Sequence, residues 1–215
     1  MNGRAVAELP RALALPGGDV ELREMGAADE AALLVFGETL PPHDLLFLPR
    51  DISHPKVLAA WIQEASRANG MTSVVASRDG RIVGNVTVVR DALSWSPHLC
   101  EIRLVVLPEM RGQGLGRILA ETGFALAVNA GAEKLVAQAT VDQTAAIAVF
   151  EMMGYRAEAL LRDHVKDRAG ATHDIVILSL DVAEPKRAGL ATASACRQND
   201  VFSVKTEINR TIRAS

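Results

Sequence analysis

The sequence predicts an α/β fold of the mixed α+β kind, a mixed but mainly antiparallel sheet flanked by helices. Three observations carry this. Two apolar runs, Thr72–Ser77 and Arg81–Arg90, meet at Arg78-Asp79-Gly80, where Asp-Gly marks a tight hairpin. A run of β-branched and aliphatic residues, Ile102–Leu107, breaks at Pro108 and enters a glycine-spaced turn that opens an amphipathic helix. The order strand, helix, strand through Lys134–Ala139 calls for a parallel crossover, whereas Tyr155–Leu161 and Asp174–Leu180 read as a closing antiparallel pair.

Taken in order, residues 1–18 lack periodic pattern and end in Pro16-Gly17-Gly18, which predicts a mobile lead and a domain spanning 19–182. Val20–Glu24 is the first expected strand. Ala32, Leu33, Phe36 and Leu40 share one helical side until Pro41-Pro42 stops the helix. The segment His43–Asp51 reads as an apolar loop packed over the core. A second helix is expected over Val57–Ala68, with Leu58, Trp61, Ile62 and Ala65 inward and Asn69-Gly70 closing it. The hairpin strands and a third strand, Leu99–Leu107, form a meander leading to the glycine turn. Beyond the turn, Leu115, Ile118, Leu119, Leu126 and Ala130 lie on one helical stripe that ends at Asn129-Ala-Gly131. Thr140 and Gln143 have the spacing of a capping box for the helix that ends at Gly154. From Ala183 the apolar rhythm weakens, so 183–215 is expected to be disordered.

At 215 residues the chain suffices for one good-sized core plus tails, and its 49% hydrophobic content is ordinary for a globular protein. No run approaches the eighteen or so apolar residues of a membrane span. The balance of 23 basic and 26 acidic side chains, without a dense basic tract, disfavours nucleic acid as a partner. Leu9–Pro16 is too short and interrupted for a secretory signal, which makes the cytoplasm the expected location. Cys100 and Cys196 alone support neither a disulfide framework nor a cysteine metal site.

The turn itself, Arg111-Gly-Gln-Gly-Leu-Gly116, is suited to an anion. Gly112, Gly114 and Gly116 let the backbone bend and approach a ligand, the first N–H groups of the helix lack internal partners, and Arg111 and Arg117 add full charges. The dinucleotide fingerprint fails, because its third glycine falls on Arg117 and the next strand ends in Gln138-Ala139 without a ribose-binding acid. The Gly-Lys-Ser/Thr of a P-loop is absent as well.

The loop pattern Arg111-x-x-Gly114-x-Gly116, the strand and Pro108 before it, and the later Phe150-Glu-Met-Met-Gly154-Tyr155 together resemble the GNAT acyltransferase superfamily over roughly Asp19 to Asp181. The resemblance implies a strand pair splayed to admit acetyl-CoA as co-substrate. It puts Leu104 and Val106 on the pantetheine through their backbone and Arg111, Gly112, Gln113, Gly114, Leu115, Gly116 and Arg117 on the pyrophosphate. Gln143 and Phe150 occupy further cofactor-binding positions, Gln143 in place of a frequent asparagine and Phe150 in place of the tyrosine that often protonates the departing thiolate. His43–Asp51 falls where the family builds one wall of the acceptor site.

The activity implied is transfer of an acetyl group to a primary amine, on a small molecule or a peptide, by direct attack in a ternary complex. Glu101 resembles the glutamate some members use as a base; its alternative is a surface carboxylate paired with Arg103. A non-catalytic acyl-CoA-binding regulatory module is the alternative function, supported by the missing tyrosine. The acids and histidines His164, Asp167, His173 and Asp174 match no metal spacing and are expected to form cross-strand polar pairs around Gly170, so no metal is assigned. Tyr155 is expected to be structural. His43, His54 and His98 show no partner in sequence, and oligomeric state is left open, a homodimer included.

Overall fold

The computed structural model describes residues 8–66 and 70–182. It opens with β1 (Arg11–Leu15) and β2 (Gly18–Glu24), paired antiparallel with Leu13 opposite Val20. The expected mobile lead therefore does not extend to residue 18. Leu13 and Leu15 alternate toward the core, and Gly17 and Gly18 take the positive φ values of the turn. The chain then forms α1 (Glu30–Thr39), α2 (Pro55–Ser66), β3 (Met71–Arg78), β4 (Arg81–Val89) and β5 (Leu99–Val106). Next come α3 (Leu115–Asn129), β6 (Lys134–Thr140), α4 (Thr144–Met152), β7 (Arg156–Lys166) and β8 (Thr172–Asp181). Helix α2 is described as far as Ser66; the predicted end at Ala68 and the Asn69 of the expected stop lie outside the described residues, as do 1–7 and the expected tail from 183.

The eight strands form one sheet in the order β1-β2-β3-β4-β5-β6-β8-β7, and the β5–β6 pair alone is parallel among them. Strand β8 returns between β6 and β7, so β7 is left at the edge. This final hairpin is longer than its apolar pattern predicts. Past Leu161 the register shifts, Asp163 adopts a φ of 50°, and polar pairs such as Thr172 Oγ1 to Asp163 replace apolar packing.

Helix α3 lies against β4 and β5 at very short range. A Cβ on Gly123 would stand 2.8 Å from Val86 Cγ2, and one on Gly84 2.9 Å from Leu119 Cδ1. Two glycines, Gly84 on β4 and Gly123 on α3, thus let the helix lie this close to the sheet. Among the described residues no helix is long and apolar enough to cross a membrane.

The start of α1 is fastened to β2 by a buried carboxylate. Asp29 accepts from Arg23 Nη1 at 2.8 Å and Nη2 at 2.6 Å, and its Oδ2 also accepts from the Gly26 N–H at 2.8 Å. The Arg23 hydrogen bonds hold the Asp29 carboxyl below its ordinary range against the opposing effect of burial. A depressed carboxyl stabilises the fold fully above the unfolded value near 3.9 and loses that contribution as pH falls through the folded value. Asp29→Asn is expected to cost about 1–2 kcal/mol at neutral pH, given the part-exposed arginine, and progressively less in acid. Urea unfolding of both proteins across pH 2–7 measures the difference; a gap independent of pH would contradict this account.

Candidate functional site

The site begins where β5 and β6 part. Their parallel pairing covers Leu99 with Lys134, Cys100 with Leu135 and Glu101 with Val136, and then stops. Beyond that point β5 stays paired with β4 as far as Val106, while β6 stays paired with β8 as far as Thr140. Each strand is held by its outer neighbour, so the inner edges face one another across an open wedge. The hydrogen bond from Leu107 N–H to the Val83 carbonyl, 3.0 Å, sets the phase of the β4–β5 ladder. By alternation, the backbone groups of Leu104 and Val106 point away from β4 and into the wedge. There they have no strand to pair with.

The glycine turn sits at the mouth of this wedge. Gly112 and Gly114 have φ values of 73° and 88°, and a Cβ at either would meet nothing within 4 Å. Their requirement is backbone conformation, with open space above. Gly116 differs, since its φ is not positive and a Cβ would be in ordinary contact, 3.9 Å from Val106 Cγ2. The need for glycine read at this third position is therefore not imposed by the fold. Gly114 caps α3, and the first N–H to bond back within the helix is that of Ile118, 3.2 Å from the Gly114 carbonyl. The N–H groups of Leu115, Gly116 and Arg117 precede it and find no helical acceptor, which makes an anion cradle with the positive end of the helix dipole behind it.

The side chains of the turn are less uniformly directed at that cradle than the sequence suggests. Leu115 is buried, so its backbone alone is available. Gln113 turns back, donating to the Glu109 carbonyl at 2.7 Å. Arg117 pairs with Glu121 one turn along α3, beside a groove of about 520 Å³ between α3 and α4 that Phe124, Val149, Met152 and Met153 also line. Arg111 reaches across the mouth to Asp44, 2.5 Å away.

That last contact belongs to a strap the sequence reading treated as a loop over the core. Residues 42–54 bridge both lips of the wedge. Asp44 holds Arg111 on the β5 side, while His43 Nε2 lies 2.8 Å from Asp142 Oδ2 and 3.2 Å from Thr140 Oγ1 on the β6 side. Asp51 pairs with Arg168 at the tip of the β7–β8 hairpin, and the His43 ring meets that of His173 edge to face at 5.0 Å. Burial opposes ionisation of Asp142, yet the Thr140 hydroxyl and the His43 imidazole outweigh it and hold the carboxyl below its usual range. His43 thus has partners 97 and 99 residues away, which no local spacing reveals. His173 bonds Asp167 at 3.0 Å, one of the polar pairs expected for this hairpin.

On the sheet face opposite α3, Glu101, Arg103 and Val105 alternate as predicted. Arg103 donates from Nε and Nη2 to the two carboxylate oxygens of Glu101, at 3.0 and 2.8 Å. Arg103 and Val105 also line a cavity of about 240 Å³ closed over by the strap and α2.

Before α4, which starts at Thr144, the Gln143 Oε1 accepts from the Thr140 N–H at 3.2 Å, one half of the expected box, while Thr140 Oγ1 faces His43 Nε2 at 3.2 Å. Phe150 is buried with its ring edge to face on Tyr155, 5.1 Å between centroids, and is not displayed on a surface. In this structure the Gln143 Oε1 and the Phe150 ring are each engaged with a neighbouring residue. The Tyr155 hydroxyl is buried with no hydrogen-bond partner among the described residues, and burial pushes its pKa far up. That places Tyr155 in the structural role expected of it.

Comparison with known proteins agrees with this geometry. The profile of the acetyltransferase (GNAT) family matches residues 41–155, more than half of the chain. The chain belongs to the GNAT acetyltransferases. Among solved GNAT structures, a ribosomal-protein-alanine N-acetyltransferase from Brucella melitensis is 21% identical, covering 75% of this chain and 99% of that one at a TM-score of 0.65. A putative acetyltransferase from Salmonella typhimurium, solved with its cofactor acetyl-CoA, is 18% identical over 80% of this chain and 96% of that one, at 0.63. A spermidine N-acetyltransferase from Vibrio cholerae, in complex with CoA and spermine, is 14% identical over 75% and 95%, also at 0.63. At these identities the likeness establishes the fold. A comparison with curated proteins finds no match.

Two outcomes follow from this geometry. Gly114→Val should preserve the sheet, at a cost of about 1–2 kcal/mol for a left-handed non-glycine residue, yet weaken binding of coenzyme A at least tenfold by calorimetry. Unchanged affinity would remove the anion cradle from the site. Tyr155→Phe deletes a buried hydroxyl that satisfies nothing and should leave the urea midpoint unchanged or raised; a marked loss of stability would mean that the hydroxyl has a partner.

Proposed function

We propose that this GNAT protein transfers an acetyl group from acetyl-CoA to a primary amine by direct attack in a ternary complex. The observation that carries the proposal is a juxtaposition: an anion cradle at the start of α3 stands at the mouth of a wedge whose β5 edge offers backbone groups that no neighbouring strand pairs, the Val106 carbonyl being met only by Arg111 Nη2 at 3.5 Å. The cradle suits the pyrophosphate of the co-substrate, and the backbone of Leu104 and Val106 suits the amides of its pantetheine arm. Arg111 adds charge beside the cradle, and the α3–α4 groove with Arg117 offers room for the remainder of the nucleotide. Acetyl-CoA supplies the thioester: a bond forms from the amine nitrogen to the acyl carbon, the C–S bond breaks, the nitrogen gives its proton to the base, and the thiolate takes one from solvent.

The amine must be neutral to attack. At pH 7 a lysine-type amine, with a reference pKa of about 10.4, is neutral in only about one molecule in a few thousand, so a nearby base matters. Glu101 is the proposed base. It lies on β5 at the last residue pair before the wedge opens, and its carboxylate is oriented by two hydrogen bonds from Arg103. Each oxygen keeps a further lone pair with which to accept a proton. This chain supplies no tyrosine at Phe150 for the departing sulfur; a thiol with a reference pKa near 8.5 leaves as the thiolate and is protonated by solvent. The cytoplasm is the proposed location.

The deciding experiment is calorimetric titration with acetyl-CoA, followed by thiol release in the presence of pooled primary amines. Binding with amine-dependent release is expected. Binding without release across a broad pool would identify an acyl-CoA-binding module instead, and no binding would overturn the reading of the Arg111–Arg117 turn. Glu101→Gln should lower kcat/KM roughly a hundredfold, most severely at low pH and for high-pKa amines. A pH–rate profile of unchanged shape would reduce Glu101 to the ion-pair partner of Arg103.

A further inference from the structure

The cavity on the strap side of the sheet has a lining that discriminates among amines. Its floor is a patch of β3, β4 and β5 in which Thr87 pairs with Arg103, and Asn85 with Val105. Within that apolar floor three polar side chains close a ring. Asn85 Nδ2 donates to Ser73 Oγ at 2.8 Å and to the Val74 carbonyl at 3.1 Å, Thr87 Oγ1 donates to Asn85 Oδ1 at 3.1 Å, and Ser73 Oγ completes the circuit to Thr87 Oγ1 at 2.9 Å. Asn85 and Thr87 both line the cavity. Every side-chain proton in the ring is spent, and what remains on Asn85 Oδ1 and Thr87 Oγ1 is lone-pair capacity. Such a floor accepts hydrogen bonds and offers none. The complementary ligand group is a donor, as an amine or ammonium is.

The walls define the rest of the ligand. Trp61, Met71, Val89, Val57 and Ile52 present apolar surface, and the volume of about 240 Å³ is that of roughly eight waters at about 30 Å³ each. The charges of the lining are Arg50, Arg103 and Glu64, with Arg103 engaged by Glu101. With Arg103 neutralised by Glu101, Arg50 and Glu64 leave the lining without net negative charge, which disfavours an amine carrying two or three charges.

We infer that the acceptor is a small primary monoamine with a compact apolar body, received at its nitrogen by Asn85 and Thr87, and that polyamines are excluded by charge. This rests on the transferase reading and specifies its second substrate. The geometry is consistent with turnover, because the same strand, β5, carries Arg103 and Val105 into the cavity and turns its free backbone edge to the wedge.

The test uses the full chain with saturating acetyl-CoA and follows thiol release with 2-phenylethylamine and with spermidine. We expect kcat/KM at least tenfold higher for 2-phenylethylamine. Val89→Phe, which fills the cavity from the end of β4, should raise the KM for that amine at least tenfold while leaving the KM for acetyl-CoA unchanged. Should that variant fail to fold, Thr87→Val, equal in shape but lacking the hydroxyl, should show the same split. Equal or higher kcat/KM for spermidine, no transfer to 2-phenylethylamine, or both KM values unmoved in the folded variant would each overturn the assignment. Calorimetry with acetyl-CoA alone separates the levels: if the cofactor binds and the amine preference is wrong, the acceptor inference fails by itself, whereas absent binding sinks the transferase reading.

Discussion

Everything at the site depends on the short parallel contact between β5 and β6. Three residue pairs join the strands, and each strand is then drawn away by an antiparallel partner on its outer side. Backbone groups freed inside a sheet are costly unless they meet water or a ligand. The wedge is thus a standing demand for a hydrogen-bonding guest with an extended shape. Helix α3 begins at its mouth, and Gly84 and Gly123 let helix and sheet approach to within side-chain exclusion distance.

The strap converts that open wedge into a bounded site. Its acids and histidine engage the anion turn, the end of β6 and the last hairpin, so one segment touches every element that borders the opening. Arg111 illustrates the economy of this arrangement. Its guanidinium faces the cradle region yet has a protein counter-charge in Asp44, which limits the desolvation penalty of an arginine beside a ligand site. On the opposite face, the Glu101–Arg103 pair and the Ser73–Thr87–Asn85 ring satisfy one another's polar groups beside the cavity. The two faces of β5 thus have separate tasks, and strand alternation is what keeps them apart.

The legible features of the sequence were local ones. The Asp79-Gly80 hairpin, the glycine turn after Pro108 and the alternation of Glu101, Arg103 and Val105 were each readable within a dozen residues, because φ requirements and strand period act at that range. The first strand escapes such a reading because Arg11–Leu15 is short and flanked by Pro10 and by Pro16-Gly17-Gly18, and it is held by pairing with β2. Gln143 and Phe150 matched a pattern of spacing, yet their side chains turn to Thr140 and Tyr155. Position in a motif fixed where they lie along α4 and left open which way they face.

The sequence by itself determined the alphabet of the fold: which segments are strand or helix, where the anion turn falls, and the family to which that turn points. Tertiary structure alone decided that β8 inserts between β6 and β7, that β5 and β6 separate after Glu101, and that His43 meets Asp142 and His173. These outcomes depend on register and packing between residues far apart in the chain, where no periodic or steric rule within a short window can act. The geometry of the cradle is written in neighbouring residues, but the cavity beneath the strap exists only once distant strands share a face.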